Sequence, residues 1–257
     1  MIKIKEFSCG YCRQFEKFAF SGGKWRMKKF PAKCFLISAD GEYILFDTGY
    51  PSDFNNIMRA WPDILYKYLV PVNIRKQETC AEQLRKENIR TEDIKYIFIS
   101  HFHADHIGAL RDFPNARFVC SGIEYNKLKN MSALRQILNG FVSRFIPADF
   151  ESRVICIERL NIKKDNIFSS CYELPFINDI FAVPLPGHTA GQFGLWLSTE
   201  KILLAADSAW MKENYTQASM PHGIALRFCD DKTSLLKTLT LLKSLKNIKI
   251  FLSHGEN

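Results

Sequence analysis

The residues most able to do chemistry in this chain are crowded into one short run, His101-x-His103-x-Asp105-His106. Four metal-binding side chains occupy six positions there, and the run holds three of the six histidines in the chain. In an extended strand the fourth donor would point away from the other three, whereas a tight turn would let all four face one cleft. The spacing therefore predicts a metal site in which two adjacent metals would use the four donors.

Three further candidate ligands, His188, Asp207 and His254, share the context of this run, because each follows a stretch of apolar residues that is typical of a strand. Open α/β sheets place their binding residues in the loops that follow strands. We therefore expect these residues to belong to the same site. The apolar stretches that precede the candidate ligands cover residues 96–99, 180–185, 201–206 and 248–251.

The repetition of a strand followed by a ligand-bearing loop indicates two similar α/β halves. With 257 residues, of which 47% are hydrophobic, the chain is long enough to bury a sizeable core. Charged residues make up 24%, and no low-complexity or Gly/Ser-rich tract interrupts the sequence, so we expect an ordered protein. We expect residues 1–257 to form a single domain.

Taken together, these motifs resemble those of the metallo-β-lactamase-fold hydrolases and, within that superfamily, most of all those of the N-acyl-homoserine lactonases. The resemblance implies an α/β fold of the four-layered αββα sandwich type. The stretch from Asp207 to Tyr215 is the part that is most similar to the lactonases. The resemblance is carried by residues 35–37, 45–49, 101–106, 186–191, 207–215 and 254.

The resemblance also implies a ligand set for two divalent metal ions per chain. His101, His103 and His188 would hold the first metal, Asp105, His106 and His254 the second, and Asp207 would bridge the two. Zinc is the expected ion because it suits imidazole and carboxylate ligands, while iron, manganese and cobalt, which accept the same donors, stay open.

The implied reaction is hydrolysis of a carboxylic ester, most of all a lactone such as an N-acyl-homoserine lactone, which would make the protein a quorum-quenching enzyme. In this family two metals activate a shared water molecule and polarise the substrate carbonyl. Asp105 or Asp207 would carry the proton to the leaving group. Asp47 would support the ligand loops from behind, although a turn that ends with Gly49 also explains this motif.

One position departs from the resembled family. Three residues after the bridging aspartate the lactonases commonly carry a tyrosine whose hydroxyl lies near the substrate carbonyl, and this chain has Trp210. An indole N–H can donate a hydrogen bond but can neither accept one nor ionise. The candidate substrate contacts are therefore Trp210, Tyr215, which could replace the missing hydroxyl, and His222 in a nearby loop. Ordinary core or surface roles for Tyr215 and His222 are the alternative.

Other functions use the same ligand pattern. A thioester hydrolase, of the glyoxalase II or acyl-carrier type, would employ the same two metals on a different small acyl substrate. A nuclease or phosphodiesterase would need a nucleic-acid surface, and the net charge of +8 invites that hypothesis. Because the basic residues are scattered, with only short clusters such as 26–29, we expect no nucleic-acid partner. A metal-binding protein without enzymatic activity is the remaining class.

The N-terminal residues 1–5 lack the apolar core of a secretory signal, and no apolar run approaches the roughly 20 residues that span a bilayer. We expect a cytoplasmic protein without membrane insertion, either a monomer or a homodimer, in which the eight cysteines are free thiols. Cys9-Gly-Tyr-Cys12 spells a redox-type C-x-x-C motif, but its place so near the terminus argues against a thioredoxin-like unit. The other six cysteines are expected to be small core residues.

Two helices are predicted between these motifs. Thr79 followed by Glu82 is typical of a capping box that opens a helix through Leu84. Apolar residues recur at helical spacing between Leu134 and Phe145, which predicts a helix with a buried face.

Overall fold

The computed structural model describes residues 2–39, 41–217, 219–223 and 225–255. The chain forms two compact units. Unit 1 comprises Met1–Arg13 and Lys29–Cys156, and unit 2 comprises Gln14–Lys28 and Ile157–Asn257. Each unit has its own β-sheet and its own hydrophobic core.

The strands are short except for the two that open the chain. In order they are β1 Lys3–Phe15, β2 Met27–Ala39, β3 Glu42–Phe46, β4 Val72–Asn73, β5 Ile94–Phe98, β6 Arg117–Cys120, β7 Val154–Cys156, β8 Ile162–Lys163, β9 Cys171–Glu173, β10 Ile180–Pro184, β11 Phe193–Leu197, β12 Ile202–Ala206 and β13 Lys249–Leu252.

Most of the helices are short as well. The α-helices are α1 Glu16–Ala19, α2 Phe54–Ile57, α3 Ile64–Leu69, α4 Cys80–Lys86, α5 Ala104–Ile107, α6 Gly122–Lys129, α7 Ala133–Leu138, α8 Phe150–Arg153, α9 Glu213–Thr216 and α10 Lys232–Ser244. Single 3₁₀ turns cover Lys76–Glu78, Thr91–Asp93, Leu110–Asp112, Ser143–Phe145, Ile157–Arg159 and Ala225–Phe228.

The sheet of unit 1 is mixed, with strand order β4-β1-β2-β3-β5-β6-β7. The pairs β3–β5, β5–β6 and β6–β7 are parallel. Phe46 and Phe98, the last residues of β3 and β5, are register partners, and their rings stack with centroids 5.5 Å apart. Because parallel neighbours end at the same edge of a sheet, the loops that follow β3 and β5 lie side by side.

The sheet of unit 2 is also mixed, with order β13-β12-β11-β10-β9-β8. β12 is parallel to β13 and antiparallel to β11, which is in turn antiparallel to β10. β10, β12 and β13 therefore run in the same direction, so that the loops after all three leave one edge of the sheet. Helix α10 packs on this core through one face, on which Leu235, Leu239 and Leu242 are buried at helical spacing.

All four strands that were predicted before the candidate ligands are confirmed. The predicted runs 96–99, 180–185, 201–206 and 248–251 correspond to β5, β10, β12 and β13. The predicted N-cap is also confirmed, since the Thr79 hydroxyl accepts a hydrogen bond from the amide of Glu82 at 3.4 Å and α4 begins at Cys80.

The single helix predicted between Leu134 and Phe145 is wrong. Helix α7 ends at Leu138, because Gly140 adopts a left-handed backbone conformation with φ +72°, and a 3₁₀ turn follows. The amphipathic reading also fails in part, since Leu134 and Leu138 are exposed. The break turns out to matter for the site, because Gly140 lies against one of the candidate ligands.

Within the described residues, no helix combines the length and the apolar character that crossing a bilayer requires.

Candidate metal centre

In unit 1 the predicted ligand run folds as a tight turn directly after β5. His101 precedes the single turn of helix α5, and Asp105 and His106 lie within it. The ring of His101 lies 4.6 Å from that of His103 and 4.0 Å from that of His106, measured between centroids. Oδ2 of Asp105 lies 3.7 Å from Nε2 of His106. The turn therefore brings together the four donors that an extended chain would separate.

Three of these four ligands are buried, which is unusual for titratable groups. His101 and His106 are each 1% exposed and Asp105 is 7% exposed. Such burial is costly unless each polar atom is paired or bound to a cation.

Asp47, at the end of β3, holds the ligand loop from behind. Its Oδ2 accepts hydrogen bonds from Nδ1 of His106 at 2.7 Å and from the Ser100 hydroxyl at 2.8 Å. Its Oδ1 accepts the amide of Ser100, also at 2.8 Å. Burial raises the pKa of Asp47, and the partial counter-effect comes from His106 and Ser100.

This network determines which ring nitrogens face outward. A carboxylate only accepts hydrogen bonds, so the proton in the Asp47–His106 contact is on Nδ1 and leaves the lone pair of His106 on Nε2. The single hydroxyl hydrogen of Ser100 goes to Asp47, so Nδ1 of His101, 3.1 Å from that hydroxyl, is the donor there as well. Both imidazoles thus present Nε2 as a possible metal ligand.

The Asp47-Thr48-Gly49 turn is strained in order to make these contacts. Asp47 has φ +61° and Gly49 has φ +72°, both in the left-handed region. The amide and hydroxyl of Thr48 both donate to the carbonyl of His106, at 2.9 and 3.0 Å. A Cβ on Gly49 would stand 2.1 Å from Cβ of Cys9, so no larger residue fits. The motif therefore binds the ligand loop rather than serving only as a turn.

Gly140, in the turn that follows α7, packs against His103. Its carbonyl accepts the amide of Ala104 at 3.0 Å, and a Cβ at this position would lie 2.6 Å from Cδ2 of His103. Neither Gly140 nor Ser100 was identified from the sequence. The Asn139-Gly140 pair, a common turn signal, was a usable hint for the first, and the position next to His101 was a hint for the second.

In unit 2 the remaining candidate ligands meet at the shared edge of β10, β12 and β13. Oδ2 of Asp207 lies 2.9 Å from Nε2 of His254 and 3.5 Å from Nε2 of His188. Asp207 is 4% exposed and His188 is 3% exposed. One carboxylate oxygen is therefore within reach of two imidazole nitrogens.

The loop that carries His188 is held by the segment that leads into α10. The carbonyl of His188 accepts the amide of Asp230 at 3.1 Å, and the Asp230 carboxylate accepts the amide of Ala190 at 2.9 Å. Gly187 has φ +134°, and a Cβ on it would lie 2.3 Å from the backbone of Leu235. This close approach of loop and helix requires glycine.

Trp210, which stands where the resembled lactonases have tyrosine, lies edge-on against His188, with ring centroids 5.6 Å apart and planes at 79°. A small pocket adjoins this pair and is also lined by Asp207, Pro221 and Cys229. Trp210 therefore borders a candidate ligand, with an indole ring in place of a phenol.

Asn214 orders this segment and was not identified from the sequence. Its Oδ1 accepts the amides of Trp210 and Met211 at 3.1 and 2.9 Å, and its Nδ2 donates to the carbonyls of Ala19 and Ser219, both at 2.8 Å. The side chain is completely buried. All four hydrogen-bonding positions of the amide are thus in use.

The two other candidate substrate contacts lie in apolar surroundings. Tyr215 is partly buried against the core of unit 2, and this burial raises the pKa of its hydroxyl. The ring of His222 packs among aromatic side chains, 5.6 Å from Trp25 and 6.4 Å from Phe18 between centroids. Trp25 is 61% exposed, so this group forms an aromatic surface patch.

The donors fit divalent transition metals. Unit 1 offers buried imidazoles and a carboxylate in one turn, and unit 2 offers two imidazoles around one carboxylate oxygen. Imidazole nitrogen and carboxylate oxygen are the ligands that zinc and related ions accept.

Comparison with known proteins gives consistent results. The sequence model of the Metallo-beta-lactamase superfamily matches residues 27–254. The N-acyl homoserine lactonase AttM of Rhizobium radiobacter is 26% identical over 199 residues, which cover 76% of this chain and 71% of that protein.

Solved structures show the same fold. An N-acyl homoserine lactone hydrolase with the product N-hexanoyl-L-homoserine bound at its catalytic metal center superposes with a TM-score of 0.75 at 20% identity, covering 98% of this chain and 93% of that one. AidC, a dizinc quorum-quenching lactonase, has a TM-score of 0.69 at 18% identity and covers 99% and 87%. These likenesses confirm the α/β metallo-β-lactamase fold expected from the sequence.

Proposed function

We propose that this chain, which belongs to the metallo-β-lactamase superfamily, is a metal-dependent hydrolase of lactones, with N-acyl-homoserine lactones as the leading substrate class. Two observations support the proposal. One is the geometry of the donor side chains, and the other is the similarity of this chain to lactonases in sequence and fold. The proposal includes seven ligands for two ions, which are His101, His103, Asp105, His106, His188, Asp207 and His254.

The observation that carries the proposal is the position of Asp207 between two histidines. Its Oδ2 is close to Nε2 of both His188 and His254, at 3.5 and 2.9 Å. A carboxylate that serves two ions must reach donors from both ligand sets in this way. A buried aspartate with only a structural role needs only one hydrogen-bonding partner for that oxygen.

We propose zinc as the ion, on the strength of the nitrogen and oxygen donors. When bound, two such ions lower the pKa of a water molecule and polarise a carbonyl oxygen. Asp47 and Ser100 contact Nδ1 of His106 and His101, respectively. These contacts orient the two rings and leave Nε2 of each as the nitrogen that would bind the metal.

Lactone hydrolysis needs a proton carrier. Water adds to the carbonyl carbon, the bond from that carbon to the ring oxygen breaks, and a proton must reach the ring oxygen. A carboxylate oxygen of Asp105 or Asp207 accepts the proton from the water and delivers it to the leaving oxygen. The product is an open-chain hydroxy acid, so the reaction conserves all atoms of lactone and water.

Trp210 makes this chain differ from the resembled lactonases at the substrate carbonyl. Without a phenolic hydroxyl at that place, the carbonyl oxygen loses one hydrogen-bond donor that can also ionise. We propose that the indole instead provides apolar contact beside His188. Thioester hydrolysis, the alternative considered from the sequence, is one outcome of the substrate test.

The test is a substrate panel of acyl-homoserine lactones, aryl esters, acyl thioesters and phosphodiesters, assayed before and after chelation and after return of zinc. We expect chelator-sensitive lactone cleavage that zinc restores. Asp207→Asn should abolish turnover and lower the metal content, whereas Asp149→Asn, which alters a surface carboxylate paired with Arg153, should change neither. Chelator-sensitive cleavage of thioesters with no cleavage of lactones would overturn the substrate assignment.

A further inference from the structure

Three cysteine thiols converge in unit 1, and none of them belongs to the proposed ligand set. Sγ of Cys9 lies 3.2 Å from Sγ of Cys34, which lies 3.5 Å from Sγ of Cys80. The three sulfur atoms all lie within 4.8 Å of one another, and each side chain is completely buried. They come from β1, β2 and the first residue of α4, so that only tertiary structure assembles them.

This arrangement adds to the sequence interpretation of the cysteines. Cys34 and Cys80 are buried core residues with free thiols, as expected, but the C-x-x-C spacing of Cys9 and Cys12 gave no sign that they would meet Cys9. The thiol beside Cys9 is instead that of Cys34, because β1 and β2 are neighbours in the sheet. The cluster resembles a ligand set more than ordinary core packing, which has no need to bring three sulfurs together.

We propose that Cys9, Cys34 and Cys80 form a binding site for one soft monovalent cation, Cu(I), held by three thiolates. Soft sulfur ligands select Cu(I) over harder ions. The proposal depends on unit 1 alone and does not require the lactonase function.

Zinc suits the cluster less well. A zinc site takes a fourth ligand, either from the protein or from water. Among the described residues the group contains three sulfur donors and no histidine or carboxylate. Because all three side chains are buried, a water molecule in the fourth position would itself have to be buried in the core. Three-coordinate Cu(I) needs no additional ligand.

The size of the cluster is suitable. If the metal–sulfur distance is about 2.3 Å, as in zinc thiolate sites, the sulfurs of a planar three-coordinate centre lie about 4 Å apart. The observed separations of 3.2 and 3.5 Å are somewhat shorter. Binding therefore requires these two pairs of sulfurs to separate by less than about 1 Å, which rotation about the cysteine side-chain bonds can supply.

Binding exchanges protons for the cation. Each copper–sulfur bond replaces an S–H bond, and three protons pass to the solvent, so that affinity rises with pH. Burial raises the pKa of the Cys9 and Cys34 thiols, whereas hydrogen bonds from those two thiols lower the pKa of Cys80. Cys80 is therefore the first thiolate. The side-chain amide of Gln83 donates a hydrogen bond from Nε2 to Sγ of Cys9 at 3.4 Å, which offsets part of the negative charge of the thiolates.

The test starts from reduced, zinc-supplied protein under anaerobic conditions, so that nitrogen and oxygen donors elsewhere are already occupied. Cu(I) is added as its complex with bathocuproine disulfonate, and transfer of copper to the protein is followed by loss of the coloured complex. We expect one Cu(I) per chain, a sulfur-to-copper absorption band in the near ultraviolet, and only sulfur scatterers in X-ray absorption.

Alanine variants of Cys9, Cys34 and Cys80 should each weaken copper binding by at least about tenfold, since even the loss of an outer-shell partner has that effect. Cys120→Ala is the matched control, because Cys120 is an equally buried cysteine of unit 1 outside the cluster. If a variant does not fold, the X-ray absorption of the wild type still decides the question.

Three results would overturn the proposal. They are failure of the wild type to take copper from the chelator, nitrogen or oxygen scatterers around the bound copper, and unchanged affinity in all three folded variants. A mass loss of two hydrogens on peroxide treatment, mapped to Cys9 and Cys34 in a protein that binds no copper, would assign the cluster to disulfide formation instead.

Discussion

Nδ1 of His106 lies 2.7 Å from Oδ2 of Asp47, and both side chains are almost completely buried. This contact couples two neighbouring parallel strands, because Asp47 follows β3 and His106 lies in the turn after β5. The carboxylate keeps the proton on Nδ1 and the lone pair on Nε2. The metal affinity of His106 should therefore depend on a residue that binds no metal.

Asp47→Asn tests this dependence, because it preserves size but removes the charge. We expect the affinity for zinc to fall by about 10–100-fold, the usual effect of losing an outer-shell partner. Competition with a chromophoric chelator measures the affinity. The control is Asp93→Asn, which changes a carboxylate paired with Arg90 on the surface. Equal affinity of the Asp47 variant and the wild type would show that the contact does not orient the ligand.

Gly140→Ala should damage the turn that positions His103. The new Cβ would lie 2.6 Å from the imidazole, and the left-handed backbone conformation costs about 1–2 kcal/mol for any other residue. Gly41→Ala is a matched control, because Gly41 has φ +81° and no atom within 4 Å of the new Cβ. Both variants should lose stability in urea unfolding, but only Gly140→Ala should also lose metal affinity. The same loss of affinity in both would contradict the proposed contact.

Asn214→Ala should destabilise the segment that carries Trp210. The substitution leaves two backbone amides and two carbonyls without their partner, for which we expect about 2–4 kcal/mol of lost unfolding free energy. Asn139→Ala, which removes one exposed hydrogen bond to the carbonyl of Arg135, should cost less than about 0.5 kcal/mol. Chemical denaturation of the two variants provides the comparison. Similar losses would mean that the buried amide contributes no more than an exposed one.

Glu16 should make the stability depend on pH in the acid range. The side chain is buried, and hydrogen bonds from Arg26 at 2.9 and 3.1 Å lower its pKa to about 2. A carboxyl whose pKa is lower in the folded state stabilises the fold above its unfolded pKa of about 4.3, and this contribution disappears as the pH falls to the folded value.

We therefore expect Glu16→Gln to be less stable than the wild type at pH 6, with a difference that shrinks as the pH falls from about 4.3 toward the folded pKa. Urea unfolding across this range measures the difference. Glu92→Gln, the same substitution in a 3₁₀ turn of unit 1, is the control for the loss of a carboxylate outside this ion pair. A difference between Glu16→Gln and wild type that is constant with pH would contradict the ion pair.

The local pattern of the sequence was sufficient for the strands that precede the ligands. β5, β10, β12 and β13 are short apolar runs, and such runs bounded by polar loops have few alternatives in a buried sheet. The prediction of a helix between Leu134 and Phe145 was wrong because it rested on the spacing of apolar residues, which contains no information on the left-handed conformation of Gly140. A local sign of that conformation is the Asn139-Gly140 pair, whereas the close approach of Gly140 to His103 joins residues that are distant in the chain.

The sequence by itself determined the chemical character of the site, because histidine and aspartate at these spacings have few uses other than metal binding. Only the tertiary structure decided which residues contact and position one another around the ligands and elsewhere in the fold. Ser100 bridges Asp47 and His101, Asn214 ties together distant backbone groups, and three cysteines from separate elements meet in one cluster. The physical reason is that hydrogen bonds and sulfur contacts are short-ranged, so they depend on which chain segments pack together rather than on their spacing in the sequence.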